Sequence, residues 1–543
     1  MRTPWYRERI VYQIYPRSFN DANNDGIGDL PGIIEKIPYL KALGIGIVWL
    51  SPIYVSPNDD NGYDISNYRD IHPDFGSLEE FKDLVRKLHE ADIKLIMDLV
   101  VNHTSDEHPW FIASAAGDPE YRDYYHWQTK KNNWTSFFGG EAWTYHPQRG
   151  EYYLHLFSKK QPDLNWDNRK VREEVKDICR YWLDLGVDGF RCDVINIIAK
   201  TDNLPKGKPG IALVGREHYL NIPKIHGYLR ELRDEVFSHY DCFTVGETVL
   251  ITPRTALSYI DDDIRELDMV FQFEHMGADN HYVKWFMKKF RPINLKKPLA
   301  KWQNAFAEHG WNTLYLENHD QPRSVSRFGN IAYYRESAKM LATMLFFQRG
   351  TPFIYQGQEI GMLNAAFADL ADYQDIETHN IYKTGRKLLL SHRRMMKKIR
   401  MMSRDNARTP MQWDDTQNAG FTRGEPWLRI NPNYMDINVK KNQADKDSIL
   451  HYYRRLIDLR KKHKVIVDGA YEDIDFHNRR LYAYKRTLGK TELYVVCNFS
   501  ARALSHPLLE QLKEEKCLLA NYRQSPTDLT LKPYEARVYL KQK

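Results

Sequence analysis

The sequence predicts an α/β fold centred on a (β/α)8 barrel, and three observations support this prediction. Eight apolar, strand-like segments alternate with amphipathic helical segments, and polar side chains collect directly after several of these strands. After about residue 466, the helices give way to segments in which apolar and polar residues alternate. The first pattern is typical of a parallel sheet, and the second is typical of antiparallel strands. We therefore expect a barrel followed by a C-terminal antiparallel β-sandwich domain.

The order of the segments defines three domains. The predicted barrel strands lie at 11–16, 47–52, 95–101, 187–194, 242–247, 267–273, 313–320 and 352–357. Apolar residues three and four positions apart predict helices at 32–44, 78–91, 171–186 and 336–347. The interval between the third and fourth strands is too long for one helix, so its aromatic-rich part predicts an inserted domain. The predicted boundaries are 1–103 and 169–465 for the barrel, 104–168 for the insertion and 466–543 for the C-terminal domain.

Composition excludes several classes of partner. The formal net charge is only +6, from 78 basic and 72 acidic residues, so we expect no nucleic-acid partner. No run of about 18 apolar residues could span a membrane, and the N-terminal segment lacks the apolar core of a signal peptide. We therefore expect a cytoplasmic monomer without a membrane partner. The five cysteines have unrelated spacings, which predicts reduced thiols and neither a disulfide framework nor a zinc site.

Charged and polar side chains follow four of the predicted strands. These residues are Asp98, Asn102 and His103, then Arg191 and Asp193, then Glu247, and finally Asn318, His319 and Asp320. In a (β/α)8 barrel the carboxyl ends of the strands form one rim, where active sites are built. Asp193 and Glu247 follow neighbouring strands, which lie about 4.8 Å apart. We therefore expect their carboxyl groups about 5 to 5.5 Å apart, the separation of a retaining glycosidase.

The chemistry of such an enzyme assigns a role to each group. One carboxylate attacks a sugar carbon, and the other protonates the departing oxygen. A third carboxylate, Asp320, would stabilise charge or hold sugar hydroxyls. Arg191 would keep Asp193 ionised, and His103 and His319 would donate hydrogen bonds to sugar hydroxyls. The alternative for Arg191 and Asp193 alone is a structural ion pair.

A second group of oxygen donors lies in the stretch DANNDGIGD, residues 21–29. Asp21, Asn23, Asp25 and Asp29 place side-chain oxygens around Gly26, and Ile27 offers its backbone carbonyl. This spacing resembles the first half of a calcium loop, although position 32 is a glycine where an EF-hand requires glutamate. The alternative is a turn rich in Asx hydrogen bonds.

Several of these stretches together resemble the α-amylase superfamily (glycoside hydrolase family 13), in its oligo-1,6-glucosidase branch. The matching segments are DLVVNH (98–103), QPDLN (161–165), GFRCDV (189–194), TVGET (244–248) and ENHD (317–320), with VYQIYPRSF (11–19), NDDNGYDIS (58–66) and RDNARTPMQWD (404–414). The resemblance implies that Asp193 is the nucleophile, Glu247 the general acid/base and Asp320 the third carboxylate.

The same resemblance implies a set of substrate-binding residues and a metal. The residues that would hold the innermost sugar are Asp60, Tyr63, His103, Arg191, His319 and Arg408. Asp60 and Arg408 would close the pocket around the non-reducing end, which implies exo action on short substrates. The stretch 21–29 matches the family's metal loop, which implies a structural Ca²⁺ or Mg²⁺ and no organic cofactor.

Val194, directly after the predicted nucleophile, bears on the bond that is cleaved. Within the branch, a valine here is similar to enzymes that prefer α-1,6 bonds, whereas maltase-like enzymes have threonine or alanine. The alternative is that Val194 only packs its strand. Cys192 and Gln358 depart from the usual residues of the branch, and the stretch 201–227 resembles it only loosely. That stretch precedes the fifth strand and is a candidate lining for the second-sugar subsite.

The resulting hypothesis is a retaining exo-α-glucosidase acting on isomaltose and short isomalto-oligosaccharides. A trehalose-6-phosphate hydrolase is the nearest alternative, but QPDLN in place of ADLN weighs against it. A sucrose- or maltose-active α-glucosidase of the same branch is a further alternative. Non-catalytic, transporter-associated relatives usually lack the three carboxylates, which this chain retains. A pure carbohydrate-binding module would not need a paired acid and nucleophile.

Overall fold

The computed structural model describes residues 4–210, 212–281, 283–523 and 528–542. Eight short parallel strands form its centre: Val11–Ile14, Ile47–Leu50, Lys94–Leu99, Gly189–Cys192, Phe243–Glu247, Met269–Phe271, Thr313–Leu314 and Thr351–Tyr355. Each of the first five pairs with the next along the chain, the seventh pairs with the eighth, and the eighth pairs with the first. A parallel bridge between Val270 and Asn312 joins the sixth strand to the seventh and closes the barrel. The predicted (β/α)8 architecture is confirmed.

The helices cover the outside of this barrel. The main ones are Leu30–Glu35, Ile37–Leu43, Leu78–Glu90, Arg169–Asp184, Ile225–Glu235, Pro253–Ile260, Pro292–Ala305, Tyr334–Phe346 and Ile449–Lys462. The helix Leu78–Glu90 shows why these segments are helical, since Ser77 and Glu80 form a capping box at its start. The single helix predicted at 32–44 is two helices, because Pro38 has no backbone N–H to continue the first one.

Most predicted barrel strands are longer than the observed ones, and two of them, the fourth and the seventh, matter for the site because they end at the rim. The fourth strand ends at Cys192, so Asp193 and Val194 lie beyond the sheet. Val194 does not continue the extended strand, because its backbone is left-handed with φ +35°. The seventh strand contains only Thr313 and Leu314, and the polar residues that follow it belong to a loop.

The chain between the third and fourth strands forms a small structure above the rim. It contains the helix Pro109–Ala115 and the antiparallel strands Trp127–Gln128, Trp143–His146 and Glu151–Leu154, with the last of these in the centre. It packs against the stretch that follows the fourth strand. The rings of Trp134 and Tyr219 are 5.6 Å apart, and the Trp134 indole donates to the Pro205 carbonyl at 2.9 Å. Part of the loosely matching stretch 201–227 thus lies beside the insertion.

The C-terminal part has two antiparallel layers, as predicted. The larger sheet has the order Ala470–Ile474, Leu481–Leu488, Thr491–Asn498, Ala536–Gln542 and Lys516–Ala520. The second layer is the pair Leu504–Ser505 and Thr530–Leu531 with the helix Pro507–Gln511. A buried cluster that includes Leu481, Val496, Leu504, Leu508 and Leu531 fills the space between the layers.

The remaining elements are short or lie near the rim. The helices are Trp5–Glu8, Ser324–Phe328, Ile376–Lys387, His392–Met402, Asp405–Arg408, Val439–Ala444 and Lys464–Asp468, and the strand pairs are Tyr54–Val55 with Asn67–Ile71 and Asn280–His281 with Val283–Met287. None of the five cysteines forms a disulfide. Within the described ranges, no helix combines the length and apolar character needed to cross a membrane.

Candidate active site

One guanidinium group, that of Arg191, holds the two carboxylates predicted to do the chemistry. Its Nη1 donates to Oδ1 of Asp193 at 2.6 Å and also to Asp98, and its Nη2 donates to Oε2 of Glu247 at 2.5 Å. The Arg191 side chain is buried at the end of the fourth strand, where Gly246 of the fifth strand lies opposite Cys192. A buried charge needs partners, and the three carboxylates supply them.

Burial raises the proton affinity of both carboxyl groups of this pair. Removal from water raises the pKa of Asp193 to about 6 and that of Glu247 to about 7, while Arg191 opposes both shifts. The pKa of Asp98 rises to about 6 for the same reason. Asp193 therefore has the lower pKa of the pair and ionises first, while Glu247 keeps its proton to higher pH. This is the division of protonation states that a nucleophile and a general acid require.

Asp320 has the opposite character. Its Oδ1 accepts from Nη2 of Arg408 at 2.7 Å and from Nη1 of Arg404 at 3.4 Å, and its Oδ2 lies 3.2 Å from Nε2 of His319. Burial alone would raise the pKa of Asp320, but the hydrogen bond from His319 and the charges of Arg404 and Arg408 outweigh it and hold the pKa well below its usual range. Asp320 is the most open of the three carboxylates, with 31% of its side chain exposed. It therefore presents a permanent negative charge to the pocket.

His319 lies between two tyrosine rings. Its ring stacks on Tyr63 at 5.4 Å and on Tyr15 at 6.1 Å. The Gln13 amide donates to Nδ1 of His319 at 2.7 Å, so the proton of the neutral ring is on Nε2, which faces Asp320 and the Tyr63 hydroxyl. Burial lowers the pKa of His319, which favours this neutral form. The ring is thus fixed in both orientation and tautomer.

A second group of predicted binding residues meets around Asp60. Its Oδ1 lies 3.3 Å from Nη2 of Arg404, and its Oδ2 accepts from the Gln161 amide at 3.2 Å. The same amide lies 3.2 Å from Nε2 of His103, whose ring also contacts the Tyr63 carbonyl at 3.0 Å. The cation that contacts Asp60 is therefore Arg404, whereas Arg408, which the resemblance places with Asp60 at the closed end of the pocket, contacts Asp320.

Sequence analysis did not single out Arg404 or Gln161. Both are buried, and both contact Asp60. Arg404 also donates to Asp375 from Nη2 at 2.7 Å and from Nε at 3.0 Å. Each belongs to a segment that the resemblance matched, 161–165 or 404–414. Membership of those segments was the available signal, because spacing alone does not show which charges meet in space.

Val194 contacts the site through its backbone. Its N–H donates to Oε2 of Glu247 at 3.3 Å, and its side chain belongs to a buried apolar cluster with Trp134, Leu156 and Tyr219. A β-branched residue in the left-handed region is strained, so the surrounding packing must hold it there. The side chain of Val194 therefore packs against the insertion and the following stretch, not within its own strand, and its backbone lies beside the predicted acid.

The side chains of the loop at 21–29 form the hydrogen bonds of an Asx-rich turn. Asp21 accepts from the N–H groups of Asn24 at 2.6 Å and Gly26 at 2.8 Å, and Asp25 accepts from Ile27 at 2.8 Å. Every side-chain oxygen of Asp21, Asp25 and Asp29 accepts at least one N–H bond, and the lone pairs that remain are hard donors of the kind that Ca²⁺ takes. Asp29 caps the helix Leu30–Glu35 by accepting from Gly32.

Within the described residues, the one group of three carboxylates whose oxygen atoms lie within 4.8 Å of one another is outside this loop and consists of Glu173, Glu231 and Glu235. The ammonium group of Lys176 lies 2.7 to 2.9 Å from all three. Arg169 also pairs with Glu173, and Arg172 pairs with Glu231, so the group is a structural ion cluster.

Comparison with known proteins identifies the family. A model described as "Alpha amylase, catalytic domain" matches residues 13–469. The chain belongs to the α-amylase family. It is 53% identical to an oligo-1,6-glucosidase of Parageobacillus thermoglucosidasius and 52% identical to one of Halalkalibacterium halodurans, in both cases over 99% of either chain. The crystal structure of a Bacillus licheniformis trehalose-6-phosphate hydrolase variant superimposes with a TM-score of 0.95 over 100% of both chains, at 42% identity. The resemblance stated from the sequence is confirmed.

Proposed function

We propose that this protein is a retaining exo-α-glucosidase that hydrolyses α-1,6 bonds at the non-reducing end of isomaltose and short isomalto-oligosaccharides. The observation that carries the proposal is the contact of Arg191 with both Asp193 and Glu247 at the rim of the barrel. It supports a nucleophile and an acid on neighbouring strands, which is the arrangement of a retaining glycosidase. The oligo-1,6-glucosidases that are 52% to 53% identical to this chain support the α-1,6 assignment.

The reaction proceeds in two steps, and Glu247 regains in the second step the proton that it gives up in the first. In the first, an Asp193 oxygen attacks the anomeric carbon while Glu247 gives its proton to the departing glycosidic oxygen. The products are a free sugar and a β-glucosyl ester on Asp193. In the second, Glu247 takes a proton from water, whose oxygen attacks the anomeric carbon and releases Asp193. Two inversions restore the α configuration.

The other residues hold the sugar in place for both steps. Asp320 accepts hydrogen bonds from hydroxyl groups, which its low pKa allows at any working pH. Nη1 of Arg408 is buried and has no partner in the described part of the chain, so it is available to donate to a sugar hydroxyl. Asp60, held by Arg404 and Gln161, closes the pocket at the non-reducing end. His103, Tyr63 and His319 line the wall between these groups.

Bond preference rests on Val194 and on the surface beside it. The side chain offers no hydrogen bond to a second sugar, so it selects by shape. Discrimination between α-1,6 and α-1,4 bonds by shape is worth about 1 to 3 kcal/mol. We therefore expect residual α-1,4 activity. The stretch 201–227 packs against the insertion beside Val194 and is the proposed lining of the second-sugar subsite.

The proposal also includes a structural metal, a location and an oligomeric state. Asp21, Asn23, Asp25, Asp29 and the carbonyl of Ile27 would hold one structural Ca²⁺ or Mg²⁺, which would stabilise the loop without entering the reaction. No organic cofactor takes part in the two steps. We propose a cytoplasmic monomer whose substrate is a small oligosaccharide.

The test is kcat/KM on isomaltose, maltose, sucrose, trehalose and trehalose 6-phosphate with one enzyme preparation. The proposal expects the highest value for isomaltose. A higher value for trehalose 6-phosphate would retain the mechanism and replace the substrate, and the B. licheniformis structure makes this the second candidate. Dominant sucrose activity would indicate that the stretch 201–227, and not Val194, sets specificity.

A further inference from the structure

We infer that the helical hairpin formed by Ile376–Lys387 and His392–Met402 docks this protein on an anionic lipid surface. From residue 378 to residue 402 the sequence contains eight lysines and arginines and no aspartate or glutamate. In the part of the chain that the structure describes, none of these eight forms a salt bridge. Three of the eight, Arg386, Lys398 and Arg400, donate hydrogen bonds to backbone carbonyls. The other five are exposed, and their charge is available to a partner: Lys383, Lys387, Arg393, Arg394 and Lys397.

The charge pattern of the hairpin differs from that of another surface helix. On Leu78–Glu90, Lys82 pairs with Glu79, Lys87 pairs with Asp83, and Arg86 pairs with both Asp83 and Glu90. Such pairs at three and four residues' separation are how exposed helices usually balance charge. The hairpin lacks them, and like charges at these spacings destabilise a helix. A requirement other than folding therefore accounts for the composition of the hairpin.

The apolar side of the second helix is already used inside the protein. Met396, Ile399 and Met402 are buried in a cluster with Trp285 and Phe367. Met395 packs against Gly385 of the first helix, where an added Cβ would lie 2.3 Å from the methionine sulfur. The hairpin is thus a firm projection with its basic side facing solvent.

The tip of the hairpin is apolar and exposed. Leu388 and Leu389 are 70% and 92% exposed, and Leu389 has a left-handed backbone with φ +61°. The N–H of Leu390 bonds to the Gly385 carbonyl at 3.0 Å, so Leu389 occupies the helix-ending position that normally carries glycine or asparagine. A leucine here is strained and buries nothing within the protein. Both features are explained if the leucines are buried in a partner.

The combination of leucines and surrounding cations favours a lipid surface. Exposed apolar side chains rimmed by lysine and arginine insert at the boundary between headgroups and acyl chains, while the cations contact anionic headgroups. Nucleic acid would use the cations but not the leucines. The expectation of no membrane partner rested on the absence of a spanning segment, and a peripheral contact of this kind needs none.

The docking surface is separate from the pocket. The first helix starts at the rim, where Asp375 caps it and pairs with Arg404. Its 12 residues carry the tip about 18 Å along the helix axis from that point. Docking at the tip therefore leaves the turnover of soluble substrates unchanged.

The experiment is co-sedimentation of the full chain with vesicles, followed at increasing salt. We expect binding to phosphatidylcholine vesicles that contain about one-third phosphatidylglycerol, weaker binding as salt rises, and none to pure phosphatidylcholine. Leu388→Ser/Leu389→Ser and Arg393→Glu/Arg394→Glu should each weaken binding about tenfold or more. Turnover of a nitrophenyl α-glucoside should be unchanged in both variants, which shows that they are folded.

Arg169→Glu/Lys170→Glu is the matched control. It changes the net charge by the same amount at exposed positions in the first turn of another helix, where acidic residues are tolerated. It should retain most of the vesicle binding. The inference is wrong if the wild type does not bind the anionic vesicles, if the leucine variant binds them as the wild type does, or if the control loses as much binding as the arginine variant. Stronger binding to duplex DNA than to vesicles, unaffected by the leucine changes, would also overturn it.

Discussion

Arg404→Met tests whether the pocket depends on a cation that the sequence patterns did not single out. Methionine keeps most of the length of arginine but removes its charge. The guanidinium lies 3.3 Å from Asp60 and 3.4 Å from Asp320, and both contacts are long for charged hydrogen bonds. At the lower limit of about 1.5 kcal/mol each, their loss totals about 3 kcal/mol. If both contacts shape the sugar site, kcat/KM on isomaltose should fall roughly a hundredfold.

The same change should also destabilise the protein, for a reason that can be separated experimentally. Asp375 is fully buried and is held by Arg404, so removing the cation leaves an unpaired charge that costs about 3 to 5 kcal/mol. Adding Asp375→Asn removes that charge, and asparagine still caps the helix that Asp375 begins. The double variant should recover much of the thermal stability while kcat/KM stays low.

Steady-state kinetics and thermal unfolding together separate the effect of Arg404 on the sugar site from its effect on stability. The control is Arg429→Met, which removes a cation that is 66% exposed and paired only at the surface with Asp372. Its unfolding free energy should change by less than about 0.5 kcal/mol, and its activity should stay at the wild-type level. A loss of less than about threefold in kcat/KM for Arg404→Met would refute the reasoning, as would recovery of activity in the double variant.

Four further predictions concern the chemistry, the bond and the metal. Glu247→Gln should lower kcat on isomaltose by about 10² to 10⁴, but much less on a substrate whose leaving group needs no proton; equal losses on both would rule out the acid role. The pH profile of kcat/KM should be bell-shaped, because Asp193 takes up a proton below about pH 6 and Glu247 loses one above about pH 7; a flat profile from pH 5 to 9 would contradict this assignment. Val194→Thr should raise maltose activity relative to isomaltose by about 5- to 150-fold, and an unchanged ratio would leave Val194 only its packing role. A chelator should lower the thermal midpoint of the wild type but have less effect on Asp25→Asn, which removes a ligand charge. The asparagine still accepts from the Ile27 N–H but loses the bond from the Asn23 amide, so each protein is compared with itself with and without chelator. Equal midpoints of the wild type with and without chelator would rule out the structural metal.

The sequence predicted the features that follow from the hydrophobic period of each segment and from the order of strands and helices. Alternating strands and helices placed all eight barrel strands, because a strand buried on both faces needs a continuous apolar run. The pairing of side chains across the rim was not accessible in this way. Asp60 and Arg404 are separated by 344 residues and meet only because the chain closes into a barrel. Whether Arg404 or Arg408 contacts Asp60 depends on one turn of the short helix Asp405–Arg408. The hydrophobic period of the sequence does not predict which of the two it is.

Val194 shows how local strain and specificity are linked in this site. Its left-handed backbone directs its N–H to Glu247, and its side chain packs with Trp134 of the insertion and Tyr219 of the following stretch. Packing and specificity are therefore not competing explanations, because the contacts that hold the strained backbone also place the side chain beside the acid. Threonine preserves the branched shape, so it should change the bond preference without moving Glu247. Glycine would relieve the strain but remove the packing, and the loss of a fixed N–H at Glu247 should then reduce kcat on every substrate alike.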